Sequence, residues 1–273
     1  MKKALSTGWL GLFLAFLYLP IFVMILYSFN ESKGRVWTGF STKWYAELLQ
    51  NEAILSSLVS TLLLAVSAAL ISTVLGTLAA IGLLRLHKRT RAVILRFTYL
   101  PMLNPEIITG VSLMLLFVTA RQIFHTDFEF GFITLLLAHI TFDTPYVILN
   151  VLPKLRQMDT SLTDAATDLG CNPVQAFFQV TIHEIMPGIL AGFLMALTLS
   201  MDDFIISYFT SGPKFQPLSV LIYSMTKRKV SPQINALSTI MFLVILAVLV
   251  GSNLWELHKE RRERSEGLVP AEV

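Results

Sequence analysis

The chain has 273 residues, 54% of them hydrophobic and 14% charged, with a net charge of +3. A soluble domain carries roughly 25% charged residues, so there is too little polar surface here to coat a water-soluble globule. The small net charge leaves no footprint for nucleic acid, and Cys171, the single cysteine, excludes an intrachain disulfide or a cysteine-built metal site.

Six apolar runs are long enough to cross a bilayer, at 9–29, 57–84, 97–120, 132–152, 185–209 and 234–255. Spanning the hydrocarbon takes about 20 helical residues, and lone strands cannot satisfy their backbone in lipid. The first run follows Lys2 and Lys3 but exceeds the ~7–15 residues of a signal core. Bulky Ser28-Phe29-Asn30-Glu31 comes after it, so the sequence predicts a retained first helix. The segment 30–56 holds Trp37, Phe40, Trp44 and Tyr45, aromatics suited to the headgroup interface or to a docking surface.

Basic residues orient the chain. With both termini inside, the inner pieces hold 13 Lys and Arg and the outer pieces 8, despite the outer run Lys227-Arg228-Lys229. The bias predicts cytoplasmic termini. It divides the chain into a first helix with its outer loop (1–56), a membrane core (57–255) and a cytoplasmic tail (256–273).

Pro101 and Pro105 predict a bend in the third run, because proline removes a backbone donor. Glu106 follows that bend. Glu106, Asp143, Asp202 and Asp203 all sit within or beside apolar runs, where an acid facing lipid costs roughly 2.5–3.5 kcal/mol. Such residues line a polar path, pair with a cation, or mark a helix end. His139, mid-run, is expected to be hydrogen-bonded within the bundle. Asp202 and Asp203 are adjacent and cannot face the same way on a helix.

The longest inner connection, 153–184, has helical punctuation. Ser161 with Asp164 reads as a capping box, and Gly170 as a helix-ending glycine. Leu162, Ala165, Ala166 and Leu169 recur on one face. Asn172 can cap a second helix, with Pro173 at its first position and Gln175 three residues on. This helical hairpin either inserts its small apolar face into a soluble partner or packs on its own bundle.

Asp164-Ala165-Ala166-x-x-x-Gly170 resembles the EAA–G loop of the permease subunits of type I ABC importers. After nine further residues that family continues I-x-L-P. Here Val180-Thr181-Ile182-His183 swaps the aliphatics and replaces the proline with His183, although Pro187 remains nearby. Tyr27-Ser28-Phe29-Asn30, Thr42-Lys43-Trp44-Tyr45, Asn104-Pro105-Glu106-Ile107, Leu199-Ser200-Met201-Asp202-Asp203 and Ser231-Pro232-Gln233-Ile234-Asn235-Ala236-Leu237 are similar to the spermidine/putrescine permeases of that family.

The resemblance implies an all-α, multi-pass permease of a bacterial cell membrane, embedded in lipid. Its partners would be a paralogous permease, two ATPase subunits and an extracytoplasmic polyamine-binding protein. Asp164, Ala165, Ala166, Leu169 and Gly170 would couple to the ATPase; Glu106, Asp202 and Asp203 would line the substrate path. No catalytic or metal site is expected, and no G-x-x-x-x-G-K-[ST] stretch occurs, so ATP and Mg would be bound by the partner subunits. A permease for another small solute, an ion-coupled secondary transporter and a membrane scaffold are the competing readings.

Overall fold

The computed structural model describes residues 2–33, 36–125, 128–159, 161–228 and 232–265; Lys229, Ser231 and the tail beyond 265 lie outside them. The chain divides into two compact units, 1–52 with 224–273, and 53–223. Among the described residues the fold is helical, with only two isolated bridges, Asn30 to Phe40 and Gly212 to Phe215.

In the first unit, α1 (Lys2–Ser28) and the short α2 (Lys43–Gln50) pack against α12 (Pro232–Ser265). Leu12, Phe16 and Phe22 of α1 are exposed, as are most of its large side chains. A helix apolar on every side belongs in lipid. The connection to α2 is tightly built. Trp44, expected at an interface, is instead buried, and its Nε1 donates to the Asn30 carbonyl over 2.6 Å. Lys33 and Lys43 lie over its ring at 5.6 and 4.8 Å from the centroid. The Tyr45 and Ser28 hydroxyls meet at 2.6 Å. Trp37 and Phe40 remain exposed.

The second unit is centred on α6 (Phe132–Gln157), which packs between α3 (Glu52–Arg85) and α9 (Ile182–Asp202). Ala69 and Ala80 of α3, Val147 and Val151 of α6, and Ile185 and Ala196 of α9 form its core. Small residues allow the backbones to approach, as helix packing in lipid requires. A Cβ at Gly76 would stand 2.7 Å from Val147, and one at Gly188 2.9 Å from the Asn150 carbonyl.

Among the described residues five helices are long and apolar enough to cross a membrane, and α12 contains a shorter apolar stretch, Pro232–Ala247. The expected third run is not one bent helix. It breaks into α4 (Lys88–Leu103) and α5 (Glu106–Ile123), because Asn104 is extended ahead of Pro105, which has no N–H to donate. The fifth run likewise stops at Asp202. Asp203 is extended, and a separate α10 (Ile205–Thr210) follows. α11 (Leu218–Arg228) was not expected at all; the Leu218 N–H donates to Thr61 Oγ1 at 2.7 Å, which ties its start to α3.

Candidate functional site

Two groups of residues stand out, both in the second unit. The first is the helical hairpin. α7 (Ser161–Asp168) starts at Ser161, where a helix start was expected, and the Ser161 N–H donates to Asp159 Oδ1 at 2.9 Å. That hydrogen bond holds the Asp159 carboxyl below its usual range. At the other end, the Cys171 N–H donates to the Ala166 carbonyl at 3.0 Å and the Gly170 N–H to the Thr167 carbonyl at 2.9 Å. These two bonds form a Schellman motif, which requires the φ of +92° that Gly170 adopts. α8 (Pro173–Ala176) then starts as expected, Asn172 and Gln175 capping each other reciprocally at 2.8 and 3.0 Å.

Of the predicted apolar face, Ala166 turns inward. Leu162, Ala165 and Leu169 face outward, Leu169 being 87% exposed, and Val174 and Phe178 of the second limb are exposed too. Asp164 is exposed on the same helix. α8 runs through a π turn (Phe177–Thr181) into α9, giving one helical stretch Pro173–Asp202 of 30 residues. His183, at the position of the family proline, follows that π turn with Nδ1 3.3 Å from the Phe178 carbonyl.

The second group lies at the far end of this stretch. Asp202, its last residue, is exposed, whereas Asp203 is buried. The Asp203 carboxylate accepts the N–H groups of Ile206 and Ser207, at 3.2 and 2.7 Å, and so starts α10. Its backbone carbonyl accepts the Ser219 hydroxyl at 2.8 Å.

His139 of α6 lies behind it, hydrogen-bonded within the bundle as expected. Its Nδ1 is 2.6 Å from Ser200 Oγ, and its Nε2 is 3.1 Å from Ser207 Oγ and 3.6 Å from Asp203 Oδ2. One turn along α6, Asp143 is fully buried, with neither oxygen hydrogen-bonded to the described residues.

Glu106 opens α5 and is exposed. Gly110, one turn later, lets α5 lie against α10: a Cβ there would stand 3.0 Å from the Phe209 ring. Beside the α4–α5 break an apolar groove of about 490 Å³ is lined by Phe97, Leu100, Asn104, Ile108, Ser112 and Phe142. On the loops beyond the other end of α5, Lys214 Nζ donates to Glu129 Oε2 at 2.8 Å. This exposed pair holds Glu129 below and Lys214 above their ordinary ranges.

The structure therefore leaves Glu106 and Asp202 exposed and turns Asp203 into a helix cap. The Ser200, Ser207 and His139 network was not legible beforehand, since the two serines lie 61 and 68 residues from His139 and carry no motif. Among the described residues no cluster suits a metal.

Residues 72–265 match the model of the binding-protein-dependent transport system inner membrane component family. The chain is 42% identical over 245 residues to the putrescine transport system permease protein PotI of Escherichia coli strain K12, covering 89% of this chain and 86% of that protein. It is 36% identical over 253 residues to the spermidine/putrescine transport system permease protein PotC of the same strain, covering 92% and 94%. Its fold is like that of a chain in the crystal structure of a bacterial alginate ABC transporter in complex with an alginate pentasaccharide-bound periplasmic protein. The TM-score is 0.73 at 17% identity, over 96% of this chain and 94% of that one.

Proposed function

The chain belongs to the family of binding-protein-dependent transport system inner membrane components, and from that premise we propose that it is the permease subunit of an ABC importer that takes up polyamines. The family is one of transport components, not of enzymes. The relatives named for putrescine and for spermidine/putrescine transport support a small polycationic cargo.

The observation that carries the mechanism is the helical stretch Pro173–Asp202, which joins the capped hairpin to the exposed carboxylate of Asp202. At 1.5 Å per residue it is about 45 Å long. A push on the hairpin is thereby delivered to the opposite end of the membrane. In this reading the hairpin is cytoplasmic, as are both termini, in line with the bias of basic residues. Two ATPase subunits serve the complex, one of them receiving Leu162, Ala165 and Leu169 in a groove, with Asp164 at its rim. Ala166 braces the hairpin and Gly170 sets its turn. ATP and Mg are bound by those subunits and not by this chain.

A paralogous permease completes the passage, and an extracytoplasmic binding protein delivers the cargo. An ammonium group that sheds water in a low-dielectric passage needs counter-charge. Glu106 and Asp202 supply it. Asp203 acts one step back, by holding the break that presents Asp202.

The test is uptake of labelled putrescine and spermidine by the reconstituted complex, with amino acids and metal ions as competitors. ATP-dependent uptake competed only by polyamines is the expected result. Uptake driven by an ion gradient without ATP would return the chain to the secondary-transporter reading. ATP-driven uptake of a different solute would retain the permease and replace the cargo.

A further inference from the structure

The elbow between α3 and α4 has no role in the function above. Arg85 ends α3, and Lys88, Arg89, Arg91 and Arg96 lie on α4, giving five cations in twelve residues. No Asp or Glu occurs anywhere between Glu52 and Glu106. Among the described residues none of the five makes an ion pair. An uncompensated cluster of this density is repulsive unless an anion covers it.

The helix that carries the cluster indicates which anion. α4 has no fully buried residue. Arg91, Leu95 and Thr98 form its half-buried inner stripe, and Leu95 packs on the core. The outer stripe, at alternating spacings of four and three, is Arg89, Val93, Arg96 and Leu100, all exposed. Ile94 is exposed beside it. Cations and aliphatic side chains thus share one outward face, with the charge concentrated toward the helix start and apolar residues toward its end. A soluble protein surface would match the charges and leave Val93 and Leu100 against water. A phospholipid matches both, with its headgroup phosphate at the cations and its acyl chain along the aliphatics. Arg96 lies about 12 Å along the axis from Lys88, and its long side chain can reach back to the headgroup level.

We propose that the α3–α4 elbow is a binding site for anionic phospholipid headgroups, seated on Lys88, Arg89 and Arg96 with acyl contact at Val93 and Leu100. Basic clusters at the base of a membrane helix attract anionic lipid by about 1 kcal/mol per Lys or Arg, which is roughly fivefold in affinity for each residue. Loss of three therefore weakens binding on the order of a hundredfold.

The experiment titrates the purified complex, in neutral detergent micelles, with phosphatidylglycerol or phosphatidylcholine and reads the retained lipid by native mass spectrometry. The expected result is preferential retention of phosphatidylglycerol that falls as salt is raised. In the K88Q/R89Q/R96Q variant the preference disappears, while phosphatidylcholine retention and co-purification of the partner subunits stay unchanged. Equal retention of the two lipids by the unmodified complex overturns the proposal without recourse to any variant. So does a variant that sheds partner subunits yet holds phosphatidylglycerol as before, which would make the elbow a protein contact.

Discussion

Adjacent residues of one type can have opposite surroundings: Asp202 is exposed and Asp203 is buried. Asp203 gives its carboxylate to two backbone donors of α10. Removing a charged cap of that kind costs about 1–3 kcal/mol. Asp203→Ala is thus expected to lower the yield of assembled complex, with uptake falling only in proportion. Asp202 is exposed and caps nothing, so Asp202→Asn should assemble normally and lose several-fold in polyamine uptake per complex, as should Glu106→Gln. Unchanged uptake per complex in both variants would remove these acids from the path. Asp143 gives a third contrast. A buried carboxyl group with no hydrogen-bond partner among the described residues destabilises its surroundings, and Asp143→Asn keeps the shape while removing the capacity for charge. The expectation is undiminished assembly and uptake with an equal or higher melting temperature; a lower one would mean that the carboxylate has a stabilising partner in the complex.

Among the elements, the hairpin is the most completely specified by local chemistry. Its turn depends on Gly170 at positive φ, and a Cβ there would touch nothing within 4 Å. The penalty for substitution is therefore conformational and not steric. Gly170→Val, β-branched, should abolish uptake while leaving the permease in the membrane; Gly170→Asn, which tolerates the left-handed region, should retain part of it. Equal uptake by both variants would show that the turn is not required for coupling. The α6–α9 contact follows the opposite rule. Gly188 sits where the Asn150 carbonyl and Lys154 leave no room, so Gly188→Leu should prevent stable assembly, measured as the monodisperse fraction after solubilisation. Overpacking of a close helix contact costs about 1–3 kcal/mol or more.

For the whole molecule, the testable matter is orientation. Asp168 is exposed on the hairpin. In a Cys171→Ser background, a cysteine introduced by Asp168→Cys should react with a membrane-impermeant maleimide only after the cells are opened. Labelling in intact cells would invert the proposed topology and remove the hairpin from the ATPase. The same inversion would separate the basic elbow from the inner surface that the charge bias assigns to it.

What the sequence determined by itself was the solvent and the local punctuation. The apolar runs and the helical hairpin each depend on residues within a few turns of one another; among the described residues the structure has five helices long and apolar enough to cross a membrane, a shorter apolar stretch in α12, and the hairpin. Asn172, Pro173 and Gln175 make the bonds their spacing implies. The break at Asn104–Pro105 was legible as a bend because proline acts locally, although not as two separate helices. Tertiary structure decided everything that depends on distant partners. Trp44 is buried because the Asn30 carbonyl, 14 residues away, receives its N–H. The fifth run ends at Asp202 because Asp203 finds Ser207, Ser219 and the ring of His139 around it. Hydropathy reports how apolar a segment is; it carries no information about which neighbour a side chain will meet, and that neighbour decides whether an acid is buried as a helix cap, as Asp203 is, or left exposed, as Asp202 is.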